Sequence, residues 1–258
     1  MKYLAMIQAR CGSTRLPNKV LKDICGKTQL QRVIERVQRS RLVDEVMVIT
    51  SIDKANLPIL KLCTELNVRV GIGSEDDVLD RYYQTAKLLQ PEYVIRITAD
   101  CPLIDPELID MAIEQMAEDT DYCGNPTSAT FADGLDIEII RFSALEESWK
   151  KATHTFEREH VTQYIIRHRE QFQYMDFVSP IGYFGNQRWT VDEAEDYEFV
   201  KKIYEHFLNE CGVEIFGYKD ILEYLKKNPE LLKINEKYTR NEGLEKSISE
   251  DKVISNVT

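Results

Sequence analysis

The chain has 258 residues, with 33 Lys and Arg against 44 Asp and Glu for a formal net charge of −11, and it is 43% apolar and 30% charged. At about 150 residues per domain this is one large domain, or one domain with an appendage. The balance excludes a wholly disordered chain and a general nucleic-acid binder, and no run of about 18 apolar residues is present to span a membrane.

In chain order, Tyr3–Gln8 (YLAMIQ) is a continuous apolar run, expected as a strand buried on both faces rather than as a signal peptide, since no cleavage site follows it. A polar loop, 9–19, comes next. Residues 29–41 then show the apolar spacing of an amphipathic helix, with Arg32, Arg36 and Arg39 expected on a solvated face. Strands are expected over 45–50, 68–72 and 93–98, and helices over 57–66, 76–89 and 106–116, the last opened by Asp105 as N-cap. Strands alternating with helices through short loops predict an α/β fold with a mostly parallel sheet. Ligands of such sheets bind beyond the carboxyl ends of the strands, which puts 8–19, 50–53, 73–77 and 100–105 on one rim. Past residue 120 the rhythm breaks. Residues 121–190 hold short strand-like pieces around a helix near 157–168, expected as a mixed α/β arm over the rim. Helices are expected over 193–211 and 221–227. The domain is expected to end near 240, and the polar, aperiodic 241–258 to be a disordered tail. Six cysteines without a C-x-x-C pair predict free thiols in a reducing, cytoplasmic setting.

Charge is unevenly spread. Residues 1–42 carry ten basic and two acidic residues, a net +8, which leaves −19 for the remainder. A basic opening on an acidic protein points to one anion site. Its core is Ala9-Arg10-Cys11-Gly12-Ser13-Thr14-Arg15-Leu16-Pro17-Asn18-Lys19. A Gly-Ser-Thr loop after a buried strand turns successive amides toward an anion, and Arg10, Arg15 and Lys19 add three cations, a set suited to a di- or triphosphate. In Ile97-Thr98-Ala99-Asp100-Cys101-Pro102 an acid directly follows a strand, and Asp100 suits a hard-oxygen Mg²⁺ ligand. In Trp189-Thr190-Val191-Asp192-Glu193, Asp192 is either a helix N-cap or a second metal ligand beside Asp100. Asp119-Thr120-Asp121 has the D-x-D form of a metal motif but reads as a solvated turn. Gly26-Lys27-Thr28 imitates the end of a phosphate-binding P-loop, yet Leu21 stands where that motif needs its first glycine.

Taken in order, ARCGSTRLPNKVL (9–21), GSEDDVLDRYY (73–83), RITADCPLIDP (96–106), DGLDIEII (133–140), EREHVT (157–162) and RWTVDEAED (188–196) resemble the cytidylyltransferases that activate acidic sugars. Within that family they are most similar to the branch related to spore-coat polysaccharide biosynthesis. The resemblance implies a Rossmann-like, three-layer nucleotidyltransferase fold of the GT-A type and transfer of CMP from CTP to an anionic sugar acceptor with release of pyrophosphate. It also implies Mg²⁺ dependence and a homodimer formed through the 121–190 arm, with no nucleic-acid or membrane partner. It carries over Ala9, Arg10, Gly12, Ser13, Arg15 and Lys19 to the nucleotide, with Arg15 and Lys19 on the leaving pyrophosphate. Asp100 and Asp192 match the two metal aspartates, and Ser51, Ser74 and Arg81 fall where nucleotide or sugar is read. The chain departs from the best-studied synthetases at Asn18, where they have Gly. For the acceptor, Arg158, His160 and Arg167 are either anion receptors or a charged helix surface, and Asp133, Asp136 and Glu138 bind either acceptor hydroxyls or a second cation. The competing expectations are a GT-A glycosyltransferase with its metal on Asp119–Asp121, and a non-catalytic nucleotide-binding subunit.

Overall fold

The structure, a computed structural model, describes residues 1–254. Its centre is a seven-stranded sheet. The N-terminal half supplies β1 (Tyr3–Gln8), a two-stranded ribbon of β2 (Asp23–Ile24) and β3 (Lys27–Thr28), α1 (Gln29–Val37), β4 (Glu45–Ser51), α2 (Leu57–Glu65), β5 (Arg69–Gly73), α3 (Val78–Leu89), β6 (Tyr93–Thr98) and α4 (Pro106–Gln115). The second half adds β7 (Tyr122–Gly124), β8 (Glu138–Arg141), α5 (Phe142–Lys151), α6 (Thr155–Glu159), α7 (Gln163–Arg167), β9 (Tyr174–Asp176), α8 (Ala194–Glu205), α9 (Tyr218–Lys227) and α10 (Glu242–Ser249).

The sheet order is β5-β4-β1-β6-β8-β7-β9, and only β8 runs against the rest. Both faces are covered, so the strands are apolar on both sides. In β1, Ala5 and Ile7 pack into the core beneath α1, α4 and α8, while Leu4 and Met6 pack into the core beneath α3 and α5. The chain leaves β1 toward β4 on one side and later returns to β6 on the other. That reversal opens a crevice beyond the carboxyl ends of β1 and β6, where Gln8 lies opposite Thr98 in register. The expected α/β class and rim are what the fold shows.

Three expectations change. The segment 121–190 is not a separate arm at the level of the sheet, because β7, β8 and β9 continue it past β6. Strands of three or four residues carry too little periodicity for their partners to be legible. The sequence reading also leaves out α5. Next, Arg32 and Arg36 are buried. Arg32 donates to the carbonyls of Ile24 and Cys25, and Arg36 to those of Ile104 and Phe216. Their spacing correctly put them on one helix face, but that face is roofed by the aromatic rings of Tyr204 and Phe216. Last, 242–249 is helical rather than disordered, while 255–258 of the expected tail lie outside the described residues.

The P-loop imitation has a structural reading. Thr28 caps α1 by accepting from the Gln31 amide at 3.2 Å. All six cysteines are free thiols. Among the described residues no helix is long and apolar enough to cross a membrane.

Candidate active site

The loop after β1 is built by its own backbone. Asn56, buried behind it, accepts the Cys11 amide through Oδ1 at 2.8 Å, and the Cys11 carbonyl accepts the amides of Ser13 and Asn18. Asn18 has φ of 54°, in the left-handed region where Gly and Asn are the usual occupants. Asn18 therefore keeps the backbone shape that the glycine expected there would give. Among the described residues, no hydrogen bond takes up the amides of Gly12, Thr14 or Arg15, so they remain free for an anion.

Asp100 lies just beyond β6, and Asp192 lies between the Thr190 segment and α8. The two stretches are stitched together, since the Asp100 carbonyl accepts from the Val191 amide at 2.8 Å and the Thr190 hydroxyl at 3.2 Å. Capping at the start of α8 falls to Asp196, whose carboxylate accepts the amides of Asp192 and Glu193. Asp192 is thus not the N-cap, and its own carboxylate points elsewhere. Lys19 Nζ donates to Asp100 Oδ2 at 3.0 Å, to Asp192 Oδ1 at 2.7 Å and to the Val191 carbonyl at 2.9 Å. Two carboxylates 92 positions apart in sequence converge on one cation at the mouth of the amide-lined loop. Burial works against the charge on Lys19, but the two aspartates outweigh it and raise its pKa. Burial also pushes Asp100 up, and the Lys19 charge with hydrogen bonds from Thr98, Lys19 and Cys101 overcomes this and holds it at about 2. Arg15 reaches Asp192 at 3.1 Å and Glu193 at 3.3 Å.

Known proteins with similar chains point to one family. A family model described as Cytidylyltransferase matches residues 4–242. The spore coat polysaccharide biosynthesis protein SpsF of Bacillus subtilis is 33% identical over 243 residues, covering 88% of this chain and 95% of that one. The 3-deoxy-manno-octulosonate cytidylyltransferase of Geobacter sulfurreducens is 29% identical over 248 residues, covering 95% and 88%. A solved cytidylyltransferase from Leptospira borgpetersenii superposes with a TM-score of 0.84 at 32% identity, covering 90% of this chain and 97% of that one. The chain belongs to the cytidylyltransferase family.

The cleft of this cytidylyltransferase is about 1270 Å³, beyond the roughly 300–1,000 Å³ of a single small-molecule pocket. Arg10, Gly12, Ser13, Arg15, Lys19, Arg81, Asp100 and Asp192 all line it. Ala9, Ser51 and Ser74 do not. Ala9 is buried and its amide pairs with Ile49. Ser51 is buried under the loop and accepts from Asn56 Nδ2 at 2.7 Å, so it supports the loop instead of touching a ligand. Ser74 caps the entry to α3 by accepting the Asp77 amide. All three sit beside the site because strand ends and loop supports share its neighbourhood. Arg81 is almost fully buried, with one bond to the Ser74 carbonyl and no partner for Nε.

The residues expected at an acceptor form a wall of paired charges. Glu138 pairs with Arg96 and accepts from the Tyr122 hydroxyl at 2.9 Å. Asp136 pairs with Arg240, and Asp133 with Arg188 at 2.9 Å. Arg158 is buried, with its guanidinium taken by Asp77 and the Trp149 carbonyl, so it is neither a free receptor nor a solvated surface group. Arg167 turns away to Glu157 and does not line the cleft. His160 does line it, and burial lowers its pKa. Gly134, at φ 108°, lies so close to Thr190 and Trp189 that a Cβ would fall 2.5 Å from the Thr190 amide nitrogen. Glycine there lets the Asp133 turn press against the Asp192 segment.

Three contributors escaped the sequence reading. Arg96 and Arg188 stand inside the quoted motifs with no role of their own assigned there. The third is the C-terminal segment, from Thr239 through Ile254, which lines one side of the cleft. Leu244 and Ile248, four apart, were the helical signal available for it. Asp121 is held by Arg141 and by the Gln173 amide, so the D-x-D motif serves a turn, which removes the metal motif expected of a glycosyltransferase.

The Asp133 carboxyl has a testable consequence. Burial, with the charges of Asp136 and Asp192, outweighs Arg240 and Arg188 and raises its pKa to about 7. A carboxyl raised on folding binds its proton more tightly in the folded state. Its stabilising contribution is therefore complete below the unfolded value of about 4 and is lost as pH rises to about 7. We expect Asp133→Asn to flatten the decline in urea midpoint across that window. Parallel midpoint curves for the variant and the native chain would remove Asp133 as its source.

Proposed function

We propose that this cytidylyltransferase transfers CMP from CTP to an oxygen nucleophile on an anionic sugar acceptor, for surface polysaccharide or glycoconjugate assembly. The observation that carries the reading is the convergence of Asp100 and Asp192 on the Lys19 ammonium beside the free amides of Gly12, Thr14 and Arg15. Those amides, with Arg10 and Arg15, seat the triphosphate. Positioning and neutralisation of charge then supply most of the rate. The acceptor oxygen attacks the α-phosphorus in line, the bond to the bridging oxygen breaks, and pyrophosphate leaves with that electron pair.

The donor set suits Mg²⁺. Two hard carboxylates already face one cation, and among the described residues no cluster of three or more His, Cys, Asp or Glu offers a fuller cage. One or two carboxylates plus substrate phosphates is the usual way a protein holds this ion. When bound, Mg²⁺ supplies charge stabilisation across the reacting phosphates. Asp100 and Asp192 would hold the ion, and Lys19, at the mouth of the loop, neutralises charge on the leaving pyrophosphate. The size of the cleft supports two substrates side by side, and Arg96, Asp136 and Glu138 line it as well as the loop residues. The same reading includes a homodimer through 121–190, supported by exposed Val178, Ile181 and Tyr183.

Incubation with CTP, Mg²⁺ and a panel of sugar acids that includes 3-deoxy-manno-octulosonate is expected to release pyrophosphate in step with CMP-sugar. The same sample should elute at twice 30.0 kDa. CTP should raise the melting temperature more than UTP, GTP or ATP, by mass action on the folded state. Absence of both nucleotide stabilisation and pyrophosphate release defeats the reading.

A further inference from the structure

The family match ends at residue 242, yet the chain continues into α10 and then back across the cleft. This segment is pinned at both ends. At its start, Arg188 Nη1 donates to the Thr239 carbonyl at 3.2 Å, and Arg240 binds Asp136 and the Phe131 carbonyl. At its far end, Asp251 meets His154 Nδ1 at 2.5 Å and accepts from the Thr155 hydroxyl, while backbone bonds join Thr155 to Lys252 and Ile254 to Thr153. Between the pins, Ser247 contacts His160 Nε2 at 3.0 Å and Glu159 at 2.8 Å. Glu242, at the first turn of α10, reaches Arg15 at 3.5 Å. Leu244, Ser247 and Ile254 face the cleft. The segment therefore touches the nucleotide loop on one side and the acceptor wall on the other.

We propose that Thr239–Ile254 is a strap forming the outer wall of the acceptor half, latched shut by Glu242 on Arg15 until a nucleotide triphosphate takes that arginine over. The proposal rests on the cytidylyltransferase reading for the identity of the triphosphate. The chemistry follows from the contacts. Arg15 has three carboxylates around it, from Asp192, Glu193 and Glu242, and a triphosphate offers it more negative charge than any one of them. Of the three, only Glu242 belongs to the strap. The Arg15 and Glu242 side chains are 40% and 39% exposed, so the latch is a weak surface pair that a bound polyphosphate can break. Losing it frees the first turn of α10 from the nucleotide loop, while both pins and the Ser247 contacts to His160 and Glu159 hold. The start of the strap is then released from the loop only once the nucleotide is seated.

Glu242 has a second role, because its Oε1 accepts the Thr239 amide and hydroxyl at 3.0 Å each. Glu242→Gln keeps an oxygen for those bonds and removes the charge, so it tests the latch without unmaking the turn. Hydrogen exchange over 242–249 is the readout, on the full chain, with CTP as the probe. CTP is expected to speed exchange there in the native protein. Glu242→Gln should show the faster exchange without nucleotide, no further change with it, and CTP binding about two- to fivefold tighter, the size of a lost surface ion pair. Exchange in Glu242→Gln equal to the native protein, or slower exchange on adding CTP, overturns the strap. Failure of CTP to bind at all counts against the cytidylyltransferase reading instead, and the nucleotide-free comparison of the two proteins still decides the latch.

Discussion

Asp100→Asn should lower turnover by about 10³-fold or more, on the order of 4 kcal/mol of transition-state stabilisation, while leaving the fold intact. The substitution is isosteric and keeps an oxygen near Lys19, which retains Asp192 and the Val191 carbonyl as partners. The loss is of charge at the point where two carboxylates face one cation. Single-turnover pyrophosphate release, with Mg²⁺ titrated, measures it. The variant should need more Mg²⁺ and remain slow at saturation, with a urea midpoint close to native. Near-native turnover removes Asp100 from the mechanism, and a collapsed midpoint shows that its role is structural.

Arg188→Met carries the largest expected effect on stability, a loss of about 3–5 kcal/mol. Arg188 is 8% exposed and Asp196 fully buried, and the guanidinium binds Asp196 through Nε at 2.9 Å and Nη2 at 3.0 Å. It also binds Asp133 and Asp192. Met fills the space of the stem but leaves Asp196 with only the amides of Asp192, Glu193 and Asn235 for a full charge. The double variant Arg188→Met with Asp196→Asn should regain much of the loss, because no unpaired buried charge remains. Urea unfolding of the single and double variants measures the cycle. A single variant within about 1 kcal/mol of native would show the cluster to be solvated in practice. Arg15→Met is the contrast: Arg15 is itself 40% exposed, so CTP binding should fall while the midpoint moves little.

Local physics made much of this protein legible before its fold was known. Apolar runs of strand length, the 3.6-residue spacing of α1 and α3, and the cap at Asp105 each depend on residues within a turn or two of one another. So does the loop of amides and cations after β1, since its shape comes from neighbours along the chain. The rim followed from the alternation of strand and helix, because parallel strands joined by crossovers leave their carboxyl ends free. Asp100 was readable as an acid placed by a strand end.

Contacts across the chain were decided elsewhere. Whether Asp192 capped a helix or faced the cleft turned on Asp196, which takes the capping amides and frees it. Arg158 reads as either an anion receptor or a helix-surface cation until Asp77 and Trp149 close around it. Arg32 and Arg36 have the spacing of an exposed stripe, and only the elements packed over α1 bury them. The short strands β7, β8 and β9 carry no pattern that names their partners. The sequence by itself determined the strand–helix alternation, the anion-binding loop and the acids at strand ends, all products of short-range geometry. The tertiary structure alone decided which charges meet, which are buried and what covers the cleft, because burial and pairing depend on residues far apart in the chain.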